Sequence, residues 1–456
     1  MDRALEILRE ATEQTPYQGR LYLVGGIVRD KFLQVQANED IDIVMEGDAG
    51  QLAAFLYEKG VAAHQPVVYP RFGTAMVSVA ERQVELVGAR KESYHPHSRK
   101  PSTKPGTLLD DVLRRDFTIN TLLENLHTGE VQDLTGKAIS DIRDKIIRTP
   151  ADPHTTFEDD PLRMLRAVRF ATRLGFSIDP ETFAAVREMA HRLHIVSGER
   201  IREEFVKILA SDRAVSGLEM MREAGLLAEF APELAAMHGI TQNAYHIHDV
   251  WNHTMGVLEA LPADSDIALR LAALMHDVGK PPARSVDDSG TVHFFGHEAI
   301  GARIARKIMH RLKFSNSETD NVSFLISMHM RVGEYNDQWS DTAVRRLIRD
   351  IGGRLEESLI LVGADKAAAN PEMRTTNLPA LRAHIARVTE GLGGHRMTSP
   401  LSGREIMELL GVGPGTAVGA VKDYLEAEII EGNLRAGDKA SARQLVLRKY
   451  RENPAR

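Results

Sequence analysis

Gly25-Gly26 directly follows the apolar run Leu21–Val24 and leads into Arg29-Asp30. That order predicts a buried strand, a glycine turn and a helix start. The segment IDIVM at 41–45 reads as a second strand, with Asp40 just before it and Asp42 inside it. Side chains two apart on a strand point to one face. Two carboxylates side by side repel, unless a hard divalent cation sits between them. Magnesium suits such a place, because it takes carboxylate and phosphate oxygens and keeps waters in its octahedron. A pair of such ions can activate an attacking 3′ hydroxyl and neutralise a leaving pyrophosphate. The glycines let a phosphate approach the backbone where the amides of a helix start point at it. Arg29 is placed to grip a triphosphate. Residues 75–90 alternate apolar and polar around a polar turn, as a hairpin does, and Glu85 there is the candidate third carboxylate. Singly, a glycine pair marks a turn and an Asp-x-Asp a solvated strand edge. Their order carries the functional reading.

The rest of the chain is bounded by its composition. At 456 residues it exceeds one ordinary core, so two to four domains are expected. With 43% hydrophobic and 27% charged residues it is globular in type. It has no cysteine, so any metal must sit on His, Asp or Glu. No apolar run approaches the roughly 20 residues of a membrane span, and the first residues, MDRALEILREATEQ, lack an apolar signal core. A cytoplasmic protein with no membrane partner is expected. The net charge of −7 counts against a nucleic-acid binder, yet residues 163–213 concentrate arginines, from Arg163, Arg166, Arg169 and Arg173 to Arg200, Arg202 and Arg213. A local basic stripe can hold phosphates on an acidic protein. To about residue 145 the chain reads as mixed α/β. After Pro150 and Pro153 it reads as helical, with one helix in PLRMLRAVRFATRLGF ending at Gly175 and another in ERIREEFVKILAS. A His-rich helical region begins near 243 and is interrupted by a polar loop at 283–292. The fold class is α+β.

LVGGIVRD followed by EDIDIV resembles the signature of the class II tRNA nucleotidyltransferases, the family of CCA-adding, CC-adding and A-adding enzymes and bacterial poly(A) polymerases. LRRDFTINTLLEN at 113–125 is similar to its ribose-binding motif, and DLTGKAISDIRDKIIR to its connecting motif. EDDPLRMLRAVRFATRLGF resembles the motif that reads the incoming base, and GERIREEFVKIL the following neck helix. The likeness runs from about 20 to 235. It implies a head at 1–148 and a helical neck at 149–240. It also implies catalytic metal binding by Asp40 and Asp42 with Glu85 third, and triphosphate contacts from Gly25, Gly26 and Arg29. Arg115, Asp116 and Asn120 would meet the sugar and phosphates. Asp160, Arg163, Arg166 and Arg169, spaced by three, would fall along one rotating helix face. An aspartate offers acceptors and an arginine donors, so together they can present a Watson–Crick-like edge. The resemblance assigns that template to Asp160 and Arg163. Asp159-Asp160 stands where the family often has Glu-Asp, a departure that bears on neck packing. Substrates would be CTP and ATP, and the acceptor a tRNA 3′ end. The alternatives are a poly(A) polymerase, for which no basic C-terminal extension is evident, and A-only or CC-only addition. CC-adding members tend to have a shortened loop before the Arg-Arg-Asp motif. The loop ESYHPHSRKPSTKPGTLLDDV is not shortened, which favours an enzyme able to add A.

A second constellation runs His253, His276-Asp277, His297, His329, Asp365, with MHDVGK after an apolar helix. It resembles the HD superfamily of metal phosphohydrolases, which implies an HD domain at 241–390 with a tail at 391–456. His253, His276, Asp277 and Asp365 would ligate one metal, and His297 and His329 a second. Such ligands suit Mn, Fe, Ni, Co or Zn. Lys280 could stabilise a phosphate. A degenerate HD fold kept for tRNA binding is the plain alternative, and an HD hydrolase with a nucleotide-sensing head is the rival from another class. In the tail, the Gly-rich turn GVGPGTAVG before a helix could seat an RNA phosphate or simply connect two helices.

Overall fold

The computed structural model describes residues 2–35, 41–95, 98–242, 248–370, 377–393 and 395–451. By backbone contacts the chain forms two units. One is Met1–Ala235 with Ile308–Phe314, and the other is Ala236–Lys307 with Ser315–Arg456. Among the described residues, no helix is long and apolar enough to cross a membrane.

The first unit is built on a seven-stranded mixed sheet. Its strands are β1 (Leu21–Val24), β2 (Ile41–Met45), β3 (Val67–Tyr69), β4 (Thr74–Val79), β5 (Arg82–Gly88), β8 (Leu123–Asn125) and β9 (Val131–Gln132), in the order β3-β4-β5-β2-β1-β8-β9. β2 runs antiparallel to β1 and parallel to β5. The sheet is covered on both faces, so its central strands are nearly continuous apolar runs. Leu21, Leu23, Ile41, Ile43, Val84 and Leu86 pack into the main core with Leu52, Ala53 and Leu56 of the helix Ala49–Glu58. The other face carries a smaller cluster of Val24, Val44, Val87, Ala89, Val112 and Leu123. Asp42 of β2 and Glu85 of β5 stand at one end of that second face.

Between β5 and the Arg-Arg-Asp motif the structure departs from the sequence reading. Where the sequence predicts a loop, the chain forms two antiparallel strands, β6 (Arg90–His95) and β7 (Ser98–Pro105), in a sheet of their own. The helix Leu108–Leu113 then begins with a capping box on Thr107 and Asp110. Polar and basic side chains gave β6 and β7 no apolar alternation to be recognised by, yet backbone pairing needs none. The loop at 283–292 likewise contains a short hairpin, β12 (Ser285–Val286) paired with β13 (Val292–His293). β10 (Ile146–Ile147) and β11 (Ser177–Ile178) form a small parallel pair.

The helices of the neck segment follow the expected pattern. Leu162–Leu174 ends at Gly175 in the left-handed conformation, φ +68°. It buries Ala167, Phe170 and Ala171 in the main core, and Gly198–Leu209 packs beside it. One expectation fails. Asp160 is not on the helix face that carries Arg163 and Arg166. It sits before the first turn with extended backbone, φ −144° and ψ 100°. The cause is Pro161, whose ring disfavours α conformation in the residue before it.

In the second unit, His253, His329 and Asp365 lie on the helices Val250–Ala260, Asn316–Gly333 and Leu355–Ala368, His276 and Asp277 directly follow the helix Ile267–Met275, and His297 opens another helix. A separate apolar cluster, including Ile406, Val421, Leu425 and Val446, holds together the tail helices Gly403–Leu410, Thr416–Glu431 and Lys439–Arg451.

Candidate functional site

Asp40 lies outside the described residues. Asp42 lies on β2 opposite Glu85 of β5 in the parallel register, with Val44 opposite Val87 next along. Register partners share a face, so the two carboxylates stand side by side, both half-buried. Like charges so placed are costly without a cation, and this donor set fits a hard divalent ion. Val24 pairs with Asp42 across the β1–β2 ladder, which brings the following glycine turn to the same place. A Cβ at Gly25 would stand 3.4 Å from Asp42 Oδ2 and 3.9 Å from Arg115 Nη1. Gly25 also has φ +82°, a conformation that disfavours any side chain. Carboxylate, guanidinium and bare backbone thus converge around the start of the helix Gly26–Leu33.

Arg115 is held by Asp111, whose Oδ2 accepts from its Nε at 3.1 Å and Nη2 at 2.9 Å. Arg114 bonds the other oxygen of the same carboxylate. Asp111 is fully buried. Burial pushes its carboxyl up, but Arg115 and Arg114 overcome this and hold it below the ordinary value.

Behind this entrance runs a buried polar chain. Arg29 donates to Asp30 through Nε at 2.8 Å and to Asn120 Oδ1 through Nη1 at 2.8 Å. Asn120 donates to Asp116 Oδ1 at 3.0 Å, and Arg166 grips Asp116 Oδ2 through Nε at 2.9 Å and Nη2 at 2.5 Å. Burial opposes the Asp116 charge, but Arg166 and the Asn120 amide drive its carboxyl well below the usual range. Arg169 is buried against Glu204, 2.5 Å away. Burial lowers its guanidinium, partly offset by Glu204. Arg29, Arg166 and Arg169 surround the Phe170 ring at 5.4, 5.5 and 4.2 Å from its centroid.

Asp160 and Arg163 are anchored separately. Asp160 Oδ1 accepts from the Leu162 amide at 3.2 Å, and its carboxylate pairs with Arg200, Nη2–Oδ2 2.8 Å. Arg163 donates Nη2 to the Arg114 carbonyl at 2.6 Å, tying it to the Arg-Arg-Asp segment.

In the second unit the His/Asp set converges. His253 Nε2 is 3.0 Å from Asp365 Oδ1 and 3.7 Å from Asp277 Oδ2. His276 Nε2 is 3.1 Å from Asp277 Oδ2, and His297 Nε2 is 3.4 Å from Asp277 Oδ1 and 3.3 Å from His329 Nε2. The Nδ1 atoms of His276, His297 and His329 lie 2.8, 2.9 and 2.6 Å from the carbonyls of Ala273, Phe294 and Ile326. A proton on each Nδ1 leaves a bare Nε2 aimed inward, the arrangement that metal-ligating imidazoles use. His276 Nε2 and Asp277 Oδ2 are buried facing each other. Two ligand triads result, His253–His276–Asp277 and Asp277–His297–His329, each with atoms within 4.8 Å of one another. The residues therefore fit two divalent ions sharing Asp277. Burial, with the His276 charge next, drives His329 down to about 3. Burial also presses on His276, but Asp277 and Asp365 raise it. Lys280 Nζ lies 2.7 Å from Asp277 Oδ2 and 2.6 Å from Gln242 Oε1.

Residues 21–148 match the poly A polymerase head domain, 175–237 a probable RNA- and SrmB-binding site of polymerase A, and 220–370 the HD domain. The A-adding tRNA nucleotidyltransferase of Deinococcus radiodurans is 32% identical over 451 residues, covering 96% of this chain and 98% of that one. The chain belongs to the tRNA nucleotidyltransferase family. The CC-adding tRNA nucleotidyltransferase of Thermus thermophilus is 35% identical, covering 75% of this chain and 77% of that one. In fold the chain is similar to the Bacillus stearothermophilus CCA-adding enzyme in complex with CTP, with TM-score 0.69 at 22% identity and all of both chains covered. The Thermotoga maritima CCA-adding enzyme complexed with tRNA gives 0.61 at 19%, covering 98% of this chain and 96% of that one.

This nucleotidyltransferase therefore has a polymerase-type head, a helical region and an HD domain. Its sequence announced Asp42, Glu85, Gly25 and Arg115, and the fold brings those four together. Gly26 opens the helix behind them. Asp111 and Glu204, which position arginines, carry no signal of that role in the sequence, and Arg200, one of the basic stripe, proves to be the partner of Asp160. Asp111 and Glu204 are carboxylates at buried helix positions, and that apolar-face placement calls only for some partner.

Proposed function

We propose that this cytoplasmic enzyme adds nucleotides to the 3′ end of tRNA, A among them, using ATP and CTP with magnesium. The register pairing of Asp42 with Glu85 beside the Gly25 turn carries this reading. Asp40, Asp42 and Glu85 would hold the magnesium, which when bound withdraws charge from the triphosphate and the attacking 3′ hydroxyl. The rest is positioning. Gly25 and Gly26 admit phosphate to bare backbone at a helix start. Arg115, steadied by Asp111, offers a charge-assisted contact to the triphosphate or ribose. Asp116 and Asn120 place the sugar, and the buried Arg29–Asn120–Asp116–Arg166 chain keeps that floor rigid. Asp160, held by Arg200, and Arg163, held by the Arg114 carbonyl, present acceptor and donors to a base edge. The full-length β6–β7 segment before Arg114 and the near end-to-end likeness to an A-adding relative support A addition. Transcripts of tRNA ending before CCA, after C or after CC, each incubated with single NTPs, test this. Extension of the CC-ended tRNA by ATP is expected. Its absence, with CTP incorporated instead, overturns A addition.

The two triads around Asp277 support a second activity, a metal-dependent phosphohydrolase on phosphorylated RNA ends. His253, His276, Asp277 and Asp365 would hold one ion, of the Mn, Fe, Ni, Co or Zn type, and His297 and His329 with Asp277 a second. Such ions supply an activated water when bound. Lys280 fixes Asp277. Metal-loaded protein that releases no phosphate from 2′- or 3′-phosphorylated nucleotides removes this reading.

A further inference from the structure

The chain places a phenyl ring in water two residues before a metal-ligating histidine. Phe295 is 77% exposed, and His297 follows it across Gly296, whose φ is +69°. Exposure of a large apolar ring forfeits burial, so a ring held there by dedicated contacts calls for a partner. Phe295 is so held. His293 stacks on it with centroids 5.0 Å apart and planes 10° from parallel. The His293 imidazole is itself fixed at the base of the β12–β13 hairpin by Asp287 Oδ2, 2.7 Å from Nε2. The other Asp287 oxygen accepts from the Ser289 and Thr291 amides at 2.9 and 3.0 Å and from the Ser289 hydroxyl at 2.6 Å. The next residue, Phe294, gives its carbonyl to His297 Nδ1 at 2.9 Å and its ring to Lys280, with Nζ 5.6 Å from the centroid. The aromatic pair and the triad containing His297 thus lie on one short stretch of chain, tied through the Phe294 carbonyl.

We propose that Phe295, backed by His293, is the nucleobase-stacking subsite of the HD centre, so that the centre takes terminal RNA nucleotides in preference to free phosphoesters. This rests on the phosphohydrolase reading above and adds its specificity determinant. The phosphate would lie at the triads and the base on the open face of Phe295. Unpaired bases stack on aromatic and histidine rings without regard to sequence, and a rigid stacked pair offers such a face at little ordering cost. Two residues of chain reach at most about 7 Å, the scale on which a nucleotide separates its phosphate from its base.

Calorimetric binding of adenosine 3′-phosphorothioate and of inorganic thiophosphate to manganese-loaded protein tests the proposal. Phe295→Ala is expected to weaken the nucleoside ligand about 10-fold and leave thiophosphate and manganese content unchanged, while Phe295→Trp retains wild-type affinity. Equal nucleoside affinity in wild type and Phe295→Ala, with thiophosphate still bound, overturns the subsite alone. Wild-type protein that binds neither ligand overturns the phosphohydrolase reading and the subsite with it. Should Phe295→Ala alter only the sedimentation of the chain, the ring serves a protein contact and the proposal falls.

Discussion

Asp42 and Glu85 stand opposite each other in parallel strands, the one place in the β2–β5 ladder where two carboxylates meet. Removing one charge relieves their repulsion and also removes a ligand. Asp42→Asn is expected to cut single-turnover AMP incorporation by at least about 100-fold with no loss of thermal stability. A variant that stays near wild-type rate while magnesium is titrated would sink the metal role.

Gly25 tests the approach of the phosphate. Gly25→Ala puts a methyl 3.4 Å from Asp42 Oδ2 at φ +82° and ψ −140°, a backbone strain of about 1–3 kcal/mol. The expected result is a raised KM for ATP with a modest fall in melting temperature. An unchanged KM would show that no ligand group comes close to this backbone.

Asp116 should give the protein an acid-sensitive element. Its carboxyl sits below its ordinary value of 3.8, burial notwithstanding, because of Arg166 and Asn120. Above 3.8 it is charged in both folded and unfolded chains, and its contacts stabilise the fold in full. As pH falls below 3.8 the unfolded chain takes up a proton that the folded one resists, so this stability drains away. Asp116→Asn should lose about 2 kcal/mol at pH 7, and its gap from wild type in urea unfolding should narrow below pH 4. A constant gap would refute the assignment.

Arg200 lies in the segment that resembles the neck helix, and its pairing with Asp160 predicts an effect on nucleotide selectivity. Arg200→Ala frees the carboxylate that should face the base. The ratio of kcat/KM for ATP over GTP is expected to drop about 10-fold, with ribose and triphosphate contacts intact. An unchanged ratio would leave Arg200 a structural residue.

The shared Asp277 predicts the metal content of the HD domain. His329→Ala and His253→Ala should each lose about one manganese equivalent relative to wild type, read by elemental analysis after chelation and reloading. His276 is raised above its ordinary value by Asp277 and Asp365, against the pull of burial, so it must release a proton to ligate. Affinity should therefore climb with pH until His276 is neutral. His329, at about 3, takes no part in that competition.

What was legible in the chain was whatever local chemistry repeats locally. β1, the glycine turn and β2 follow from apolar runs and two glycines, and the HD set from its resemblance to the HD superfamily. Three things needed the folded chain. Pro161 pushed Asp160 off the helix, a one-residue effect that spacing by three conceals. β6 and β7 pair through backbone alone, so polar side chains hid them. Asp111 and Glu204 matter through partners up to 35 residues away in sequence, and a single carboxylate in a helix says nothing about which arginine it will meet.

Phe170 touches three guanidinium groups, one from the helix behind the glycine turn and two from its own. That makes the ring a common hub of two helices, the one that opens at the glycine turn and the one that carries Arg163 and Arg166. The spacing of those two helices is then set by one side chain, and a change in its size would shift both.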